Sequence, residues 1–340
     1  MSAARWRGLD GLRGVAVIVV VLFHAGLAPG GFLGVDVFFV LSGFLITRLL
    51  RNEYDRTGTI RLARFTARRL LRLYPALLAA CAFVLTVALV TGRAVPELTR
   101  DVLVSLTYTS NLVAMQGGLL DHTWTLSLEE QFYLVWPALL LLSLRWRAPW
   151  AWLPQVALIA AILVVDLLPG APPAVHSYVR AMGLPLGCAL AFAGPRTLGV
   201  LGRLAPVAAA GFALAVFLPL PAALTTGWPI SIGAVLAAPM VAALVAWTVP
   251  PMEWAPLRWF GLRSYSLYLW HLPIMSLALH HAPAGVPGWT RVIVGVAASL
   301  LVAEASYRWI EQPVLRLRDR RRPAPVADPG PRSGDGAAVE

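Results

Sequence analysis

Residues Gly14–Ala28 read GVAVIVVVLFHAGLA, and Gly34–Thr47 read GVDVFFVLSGFLIT. Both open apolar runs of the length and character of helices that cross a bilayer. Ten such runs recur, at about 14–28, 34–50, 74–92, 127–144, 149–168, 180–194, 204–221, 229–249, 263–281 and 289–311. The composition agrees. The 340 residues are 58% hydrophobic and only 13% charged, against about 25% charged in an ordinary soluble chain. The mean hydropathy is +0.70. This excludes a soluble enzyme, a secreted disulfide scaffold and a disordered chain, and predicts an all-α integral membrane protein with about ten transmembrane helices. Cys81 and Cys188 lie far apart inside apolar runs and read as buried free thiols. No cluster has metal-ligand spacing, so no metal is expected.

All 28 basic residues are arginine, and they leave a net charge of +11. Such a balance can mark a nucleic-acid binder, but here the arginines fall in the gaps between apolar runs, so no nucleic-acid partner is expected. The stretch 99–116 carries Arg100, Asp101, Ser105, Thr107, Thr109, Ser110 and Asn111. It is too polar for a lipid-facing span and reads as re-entrant or interfacial. With ten spans and the N-terminus inside, 24 of the 28 arginines are cytoplasmic. An eleventh span would put the arginine-rich tail outside, against the positive-inside rule. Both termini are therefore expected in the cytoplasm, with residues 1–315 as the transmembrane domain and 316–340 as a disordered Arg/Pro/Gly-rich tail. Val15–Phe23 is followed by no convincing cleavage site, which argues against a signal peptide.

Polar groups that hydrocarbon should exclude mark candidate chemistry. His24 lies eleven residues beyond Arg13, a rise of ~16 Å on a helix, which places it near the bilayer midplane if Arg13 sits at the inner surface. It reads either as a packed histidine or as a base for a hydroxyl proton. Ile60–Pro75, IRLARFTARRLLRLYP, brings together Arg68, Arg69 and Arg72. That segment is either an interfacial helix on anionic lipid or a clamp for phosphate. Asp121–Tyr133, DHTWTLSLEEQFY, puts Glu129 and Tyr133 on one helix face, with Glu130 pointing elsewhere; His122, Trp124 and Tyr133 also suit an aromatic belt. Asp36 and Ser42 lie within span two, where small residues also serve close packing. Tyr265, Tyr268 and His271 read as anchors or acceptor contacts. Glu304 has no evident partner, and Glu311 reads as a cap or an ion-pair member.

In this order the pieces resemble the acyltransferase-3 family, membrane-bound O-acyltransferases that modify bacterial surface glycans and some secondary metabolites. The matching stretches are Leu9–Gly14, Gly34–Thr47, Arg68–Pro75, His122–Pro137, Ser264–Ile274 and Tyr307–Pro313, covering residues 9 to about 317. The resemblance implies a multi-pass protein of the bacterial cytoplasmic membrane. It would transfer an acyl group, with acetyl the default, from acyl-CoA as co-substrate and hold no permanent cofactor. Residue by residue, Arg13 and His24 match the family's Arg-x10-His pair, Arg69 and Arg72 its Arg-x-x-Arg, and Glu129 its Trp-x-Leu-x-x-Glu stretch.

The catalytic set expected on this basis is His24, Glu129 and Asp36, with His24 as base or transient acyl carrier and a carboxylate orienting its ring. Arg13, Arg68, Arg69 and Arg72 would hold CoA phosphates. His122, Trp124, Tyr133 and His271 would contact the acceptor. Many glycan-modifying members continue into an extracytoplasmic SGNH-type domain, whereas here 27 residues follow Pro313. The expectation is a stand-alone form that acts alone, with a separate extracytoplasmic transfer partner, or on a small lipophilic acceptor such as a macrolide. The rival class is a translocator of a glycolipid or acyl group without transfer chemistry.

Overall fold

The computed structural model describes residues 7–92, 95–113, 118–145, 178–219, 231–283 and 285–320, with a few positions between 153 and 164. The described residues form helices and turns, with no strand among them. Three stretches are long and apolar enough to cross a membrane unaided: Gly31–Thr57, Leu62–Thr91 and Gly288–Leu317. A fourth is a pair, Pro195–Gly202 and Ala205–Phe217, bent by 51°. All but a few positions of the expected span at 149–168 lie outside the described residues, as do residues 321–340 of the expected tail.

Helix α1 (Arg7–His24) runs antiparallel into α2 (Gly34–Thr57). The run read as 14–28 stops being helical at His24, because Gly26 takes φ +75° and Pro29 follows. Helix α3 (Leu62–Thr91) corrects one expectation: the arginine-rich segment and the span after it are a single 30-residue helix carried through Pro75. Proline forfeits one backbone hydrogen bond there, and neighbouring packing tolerates it. Helix α4 (Val95–Leu106) is a short amphipathic segment with Asp101 and Ser105 on its buried side. Helix α5 (Trp124–Arg145) follows a 3-10 turn at Asp121–Thr123.

The second half supplies α6 (Gly183–Phe192), α7 (Pro195–Gly202), α8 (Ala205–Phe217), α9 (Ile232–Ala246), α10 (Ala255–Leu262), α11 (Ser264–His280), α12 (Gly288–Ser306) and α13 (Gln312–Arg320). A π turn at Tyr307–Glu311 joins the last two. Helix α13 continues to Arg320, so the boundary expected at residue 316 falls inside a helix.

Without a hydrophobic driving force between helices in lipid, close packing depends on small residues that let backbones meet. At the α2–α6 crossing, a Cβ on Gly43 would stand 2.0 Å from the Leu184 carbonyl, and one on Gly187 would stand 2.1 Å from the Val40 carbonyl. The α1–α10 crossing is built the same way: a Cβ on Gly14 would lie 2.1 Å from the Leu257 carbonyl. Helices α1 and α2 meet at Gly34, where a Cβ would stand 2.4 Å from the Ala16 carbonyl, and α3, α5 and α11 complete the wall around the polar interior.

Candidate active site

A cavity of about 350 Å³ lies between α1, α2, α3, α5 and α11. One end carries Arg13, Arg69 and Arg72, and its wall includes Ser42, Glu129 and Tyr133. Its remaining lining is mainly aliphatic and aromatic, including Val35, Phe38 and Leu41. Arg13 donates from Nη2 to Ser264 Oγ at 3.1 Å. Arg68, grouped with the clamp on sequence, is not among the lining residues.

Arg69 is held from three sides. Its Nε donates to Glu130 Oε1 at 2.6 Å, its Nη2 donates to Glu129 Oε2 at 3.3 Å, and its guanidinium lies 3.5 Å from the Tyr133 ring centroid. Glu129 also accepts from Ser42 Oγ at 3.2 Å and from the Tyr133 hydroxyl at 3.4 Å. Glu130 therefore turns to the same arginine as Glu129, contrary to the expectation that it points elsewhere. Two carboxylates thus already match the charge of Arg69.

The histidines form a second cluster. His24, the last residue of α1, lies against His271, near the middle of the 17-residue α11. His271 Nε2 is 3.1 Å from His24 Nδ1, and His122 packs on His271 with ring centroids 5.3 Å apart. His122 Nε2 donates to the Leu269 carbonyl at 3.1 Å. His122 and His271 are fully enclosed, whereas His24 is half-buried. Between this cluster and the cavity stands Tyr268, whose hydroxyl bonds Thr125 Oγ1 at 2.7 Å and donates to the His122 carbonyl at 3.0 Å. Both Tyr268 and Thr125 line the cavity; His24 does not.

The expected orienting carboxylates are elsewhere. His24 Nδ1 meets the Val20 carbonyl at 3.0 Å and His271, and no carboxylate takes part. Glu129 is occupied by Arg69 and Ser42. Asp36 is fully buried and faces α9, where a Cβ on Gly233 would stand 2.6 Å from its Oδ2. Neither Asp36 oxygen has a hydrogen-bond partner among the described residues, and Arg180 is the cation whose charge acts on it. Trp124 likewise serves Arg180, whose guanidinium lies 5.0 Å from its ring. Glu304, which showed no evident partner, takes ion pairs from Arg263 and Arg308, and Glu311 accepts from Ser266. Sequence reasoning passed over Thr125 and Ser264. A signal existed for Ser264, because Ser264, Tyr268 and His271 at i, i+4 and i+7 share one face of α11.

Known proteins resemble the chain over most of its length. The acyltransferase domain of the acyltransferase-3 type matches residues 6–308. Peptidoglycan O-acetyltransferase OatA of Listeria monocytogenes is 35% identical over 352 residues, covering 90% of this chain and 55% of that protein. O-acetyltransferase OatA of Staphylococcus aureus is 33% identical over 342 residues, covering 90% and 57%. The chain thus spans a little over half the length of these relatives, and no solved structure matches it. A match over most of the chain, together with a polar interior enclosed by apolar helices, places it in the acyltransferase-3 family of membrane proteins.

Proposed function

We propose that the chain transfers an acetyl group from acetyl-CoA to a hydroxyl of a cell-wall glycan in the bacterial cytoplasmic membrane, crossing it about ten times with both termini inside. The glycan is suggested by the relatives, which include peptidoglycan O-acetyltransferases; the chemistry is suggested by the site. The observation that carries the reading is the half-buried His24 ring, which has no hydrogen-bond partner for Nε2 among the described residues and stands just beyond a cavity lined by three arginines. In this reading Arg13 and Arg72 hold the donor phosphates by charge-assisted bonds. The mainly apolar wall of the cavity takes the pantetheine arm, and the thioester reaches His24 past Tyr268. Nε2 then removes the acceptor hydroxyl proton as its oxygen attacks the thioester carbonyl. The carbon–sulfur bond breaks, the ester forms, and the proton passes to the CoA thiolate. Glu129 and Glu130 hold Arg69 as part of the cavity wall.

The test uses purified protein in nanodiscs with labelled acetyl-CoA, following CoA release and label passed to glycan fragments or to a macrolide. Wild type is expected to label the glycan, and folded His24→Ala to lose turnover while still binding donor. Arg72→Gln should weaken donor binding. Undiminished transfer by His24→Ala sinks the assignment. Absence of CoA release from folded wild type, across several acyl lengths, favours translocation without chemistry. Label on the macrolide alone moves the acceptor class.

A further inference from the structure

The ring contacts of the histidine cluster leave one pattern of protons. His271 Nδ1 lies 2.6 Å from the Tyr268 carbonyl and 3.1 Å from the Leu267 carbonyl. A carbonyl oxygen only accepts, so Nδ1 of His271 carries the proton, and in the neutral ring Nε2 is left as an acceptor. The group 3.1 Å from that Nε2 is His24 Nδ1, which also lies 3.0 Å from the Val20 carbonyl. Two acceptors around one nitrogen require that nitrogen to be the donor. His24 is therefore protonated on Nδ1, and its Nε2 bears the lone pair.

We infer that His271 is the positioning residue for His24: its Nε2 accepts a hydrogen bond from His24 Nδ1–H and so keeps Nε2 of His24 available as the base. Carboxylates more often do this work for a histidine base, but of the two expected here Asp36 faces α9 and Glu129 is taken by Arg69 and Ser42. A neutral imidazole acceptor suits the buried setting better than a third carboxylate, because it sets the tautomer without bringing a charge into the interior. The relay is anchored in α11 itself. Tyr268 and Leu267 supply backbone carbonyls one helical turn before His271, so the donor at its Nδ1 is fixed by the helix. His122 and Tyr268 are the other titratable groups that ring contacts place on the cluster, and His122 Nε2 is committed to the Leu269 carbonyl. The His24 ring makes edge contacts with Phe23 of its own helix and His271 of α11, and the Val20 carbonyl lies at its Nδ1.

This inference rests on the proposed base role of His24, and it is tested by a readout that does not need turnover. Protein labelled with 15N in histidine, in nanodiscs, gives ring-nitrogen NMR shifts that report the tautomer, with His24 assigned by difference from His24→Ala. Wild type is expected to show His24 protonated on Nδ1. His271→Ala leaves only the carbonyl of Val20, which already serves its own helix, at Nδ1 among the described residues, and should move part of that signal to the Nε2-protonated form. His271→Gln, whose amide oxygen accepts in place of Nε2, should restore it. In the transfer assay His271→Ala should lose on the order of 100-fold in kcat, with KM for acetyl-CoA unchanged, and the Gln variant should recover most of that loss. A His24 signal that is Nε2-protonated in wild type, or unmoved by His271→Ala, overturns the inference whatever the assay gives. So does a folded His271→Ala that changes KM and leaves kcat intact. Expected NMR shifts in a wild-type protein that transfers nothing overturn the function instead.

Discussion

Arg69→Met removes the cation that two buried carboxylates share and replaces it with an apolar side chain of similar length. The contacts at 2.6 and 3.3 Å correspond to attractions of about 6 and 5 kcal/mol at an effective dielectric of ~20. The net cost is smaller, because a stranded carboxylate can take up a proton. From an ordinary value near 4.3, protonating one glutamate at pH 7 costs about 4 kcal/mol, which caps the penalty for each. The side chains are 20%, 15% and 12% exposed, so some solvation remains. Loss of one partner from a buried pair typically costs 3–5 kcal/mol, and about 3 kcal/mol is expected here. The stacking on Tyr133 is lost as well. The triple variant Arg69→Met/Glu129→Gln/Glu130→Gln loses that stacking too but strands no charge, so the difference between single and triple variants isolates the carboxylates. Apparent melting temperatures in nanodiscs should place the triple variant well above the single. A single variant as stable as wild type, or a triple no better than the single, refutes the reasoning. The same result governs how activity is read, because lost donor binding in a destabilised Arg69 variant says nothing about phosphate.

Two further outcomes follow from packing and from the cavity wall. Gly43→Ala should gain about 1 kcal/mol in helix propensity, yet its Cβ would stand 2.0 Å from the Leu184 carbonyl. Overpacking should win by about 1–3 kcal/mol, seen as a lower melting temperature and a smaller monodisperse peak; a stabilised variant would show that α2 and α6 do not meet this closely. Ser42→Ala removes one neutral-to-charged bond to Glu129 and should cost about 1–2 kcal/mol, with turnover largely retained, as the melting curve and labelled-acetyl assay will show.

The helical character of the chain was legible, and the runs at 34–50, 74–92 and 289–311 fall on the three stretches long and apolar enough to cross a membrane, because hydropathy reports what a segment can bury. The runs at 180–194, 204–221 and 263–281 reappear as α6, α8 and α11 with ends trimmed by a few residues. Where α1 ends was not legible in the apolar run, which continues past His24 into Gly26 and Leu27. Nor was the partnership of Arg69 with Glu129 and Glu130, 60 and 61 residues away. A run of arginines reads as a clamp until the fold delivers carboxylates to one of them. His24 and His271 are 247 residues apart. Periodicity places each on a helix face, but only the crossing of α1 and α11 shows that they meet, and only the carbonyls around them show which nitrogen holds the proton.

The cavity is lined by arginine where many anion sites use lysine. A lysine amine enclosed among apolar helices loses its proton readily and becomes a nucleophile. Beside an activated acyl group it would be consumed, forming an amide that nothing in the site could reverse. Guanidinium keeps its proton and does not attack. In the proposed reading, Arg13 and Arg72 draw in the thioester by its phosphates while all three arginines stay chemically inert toward it, so that the acyl group survives until the intended hydroxyl arrives.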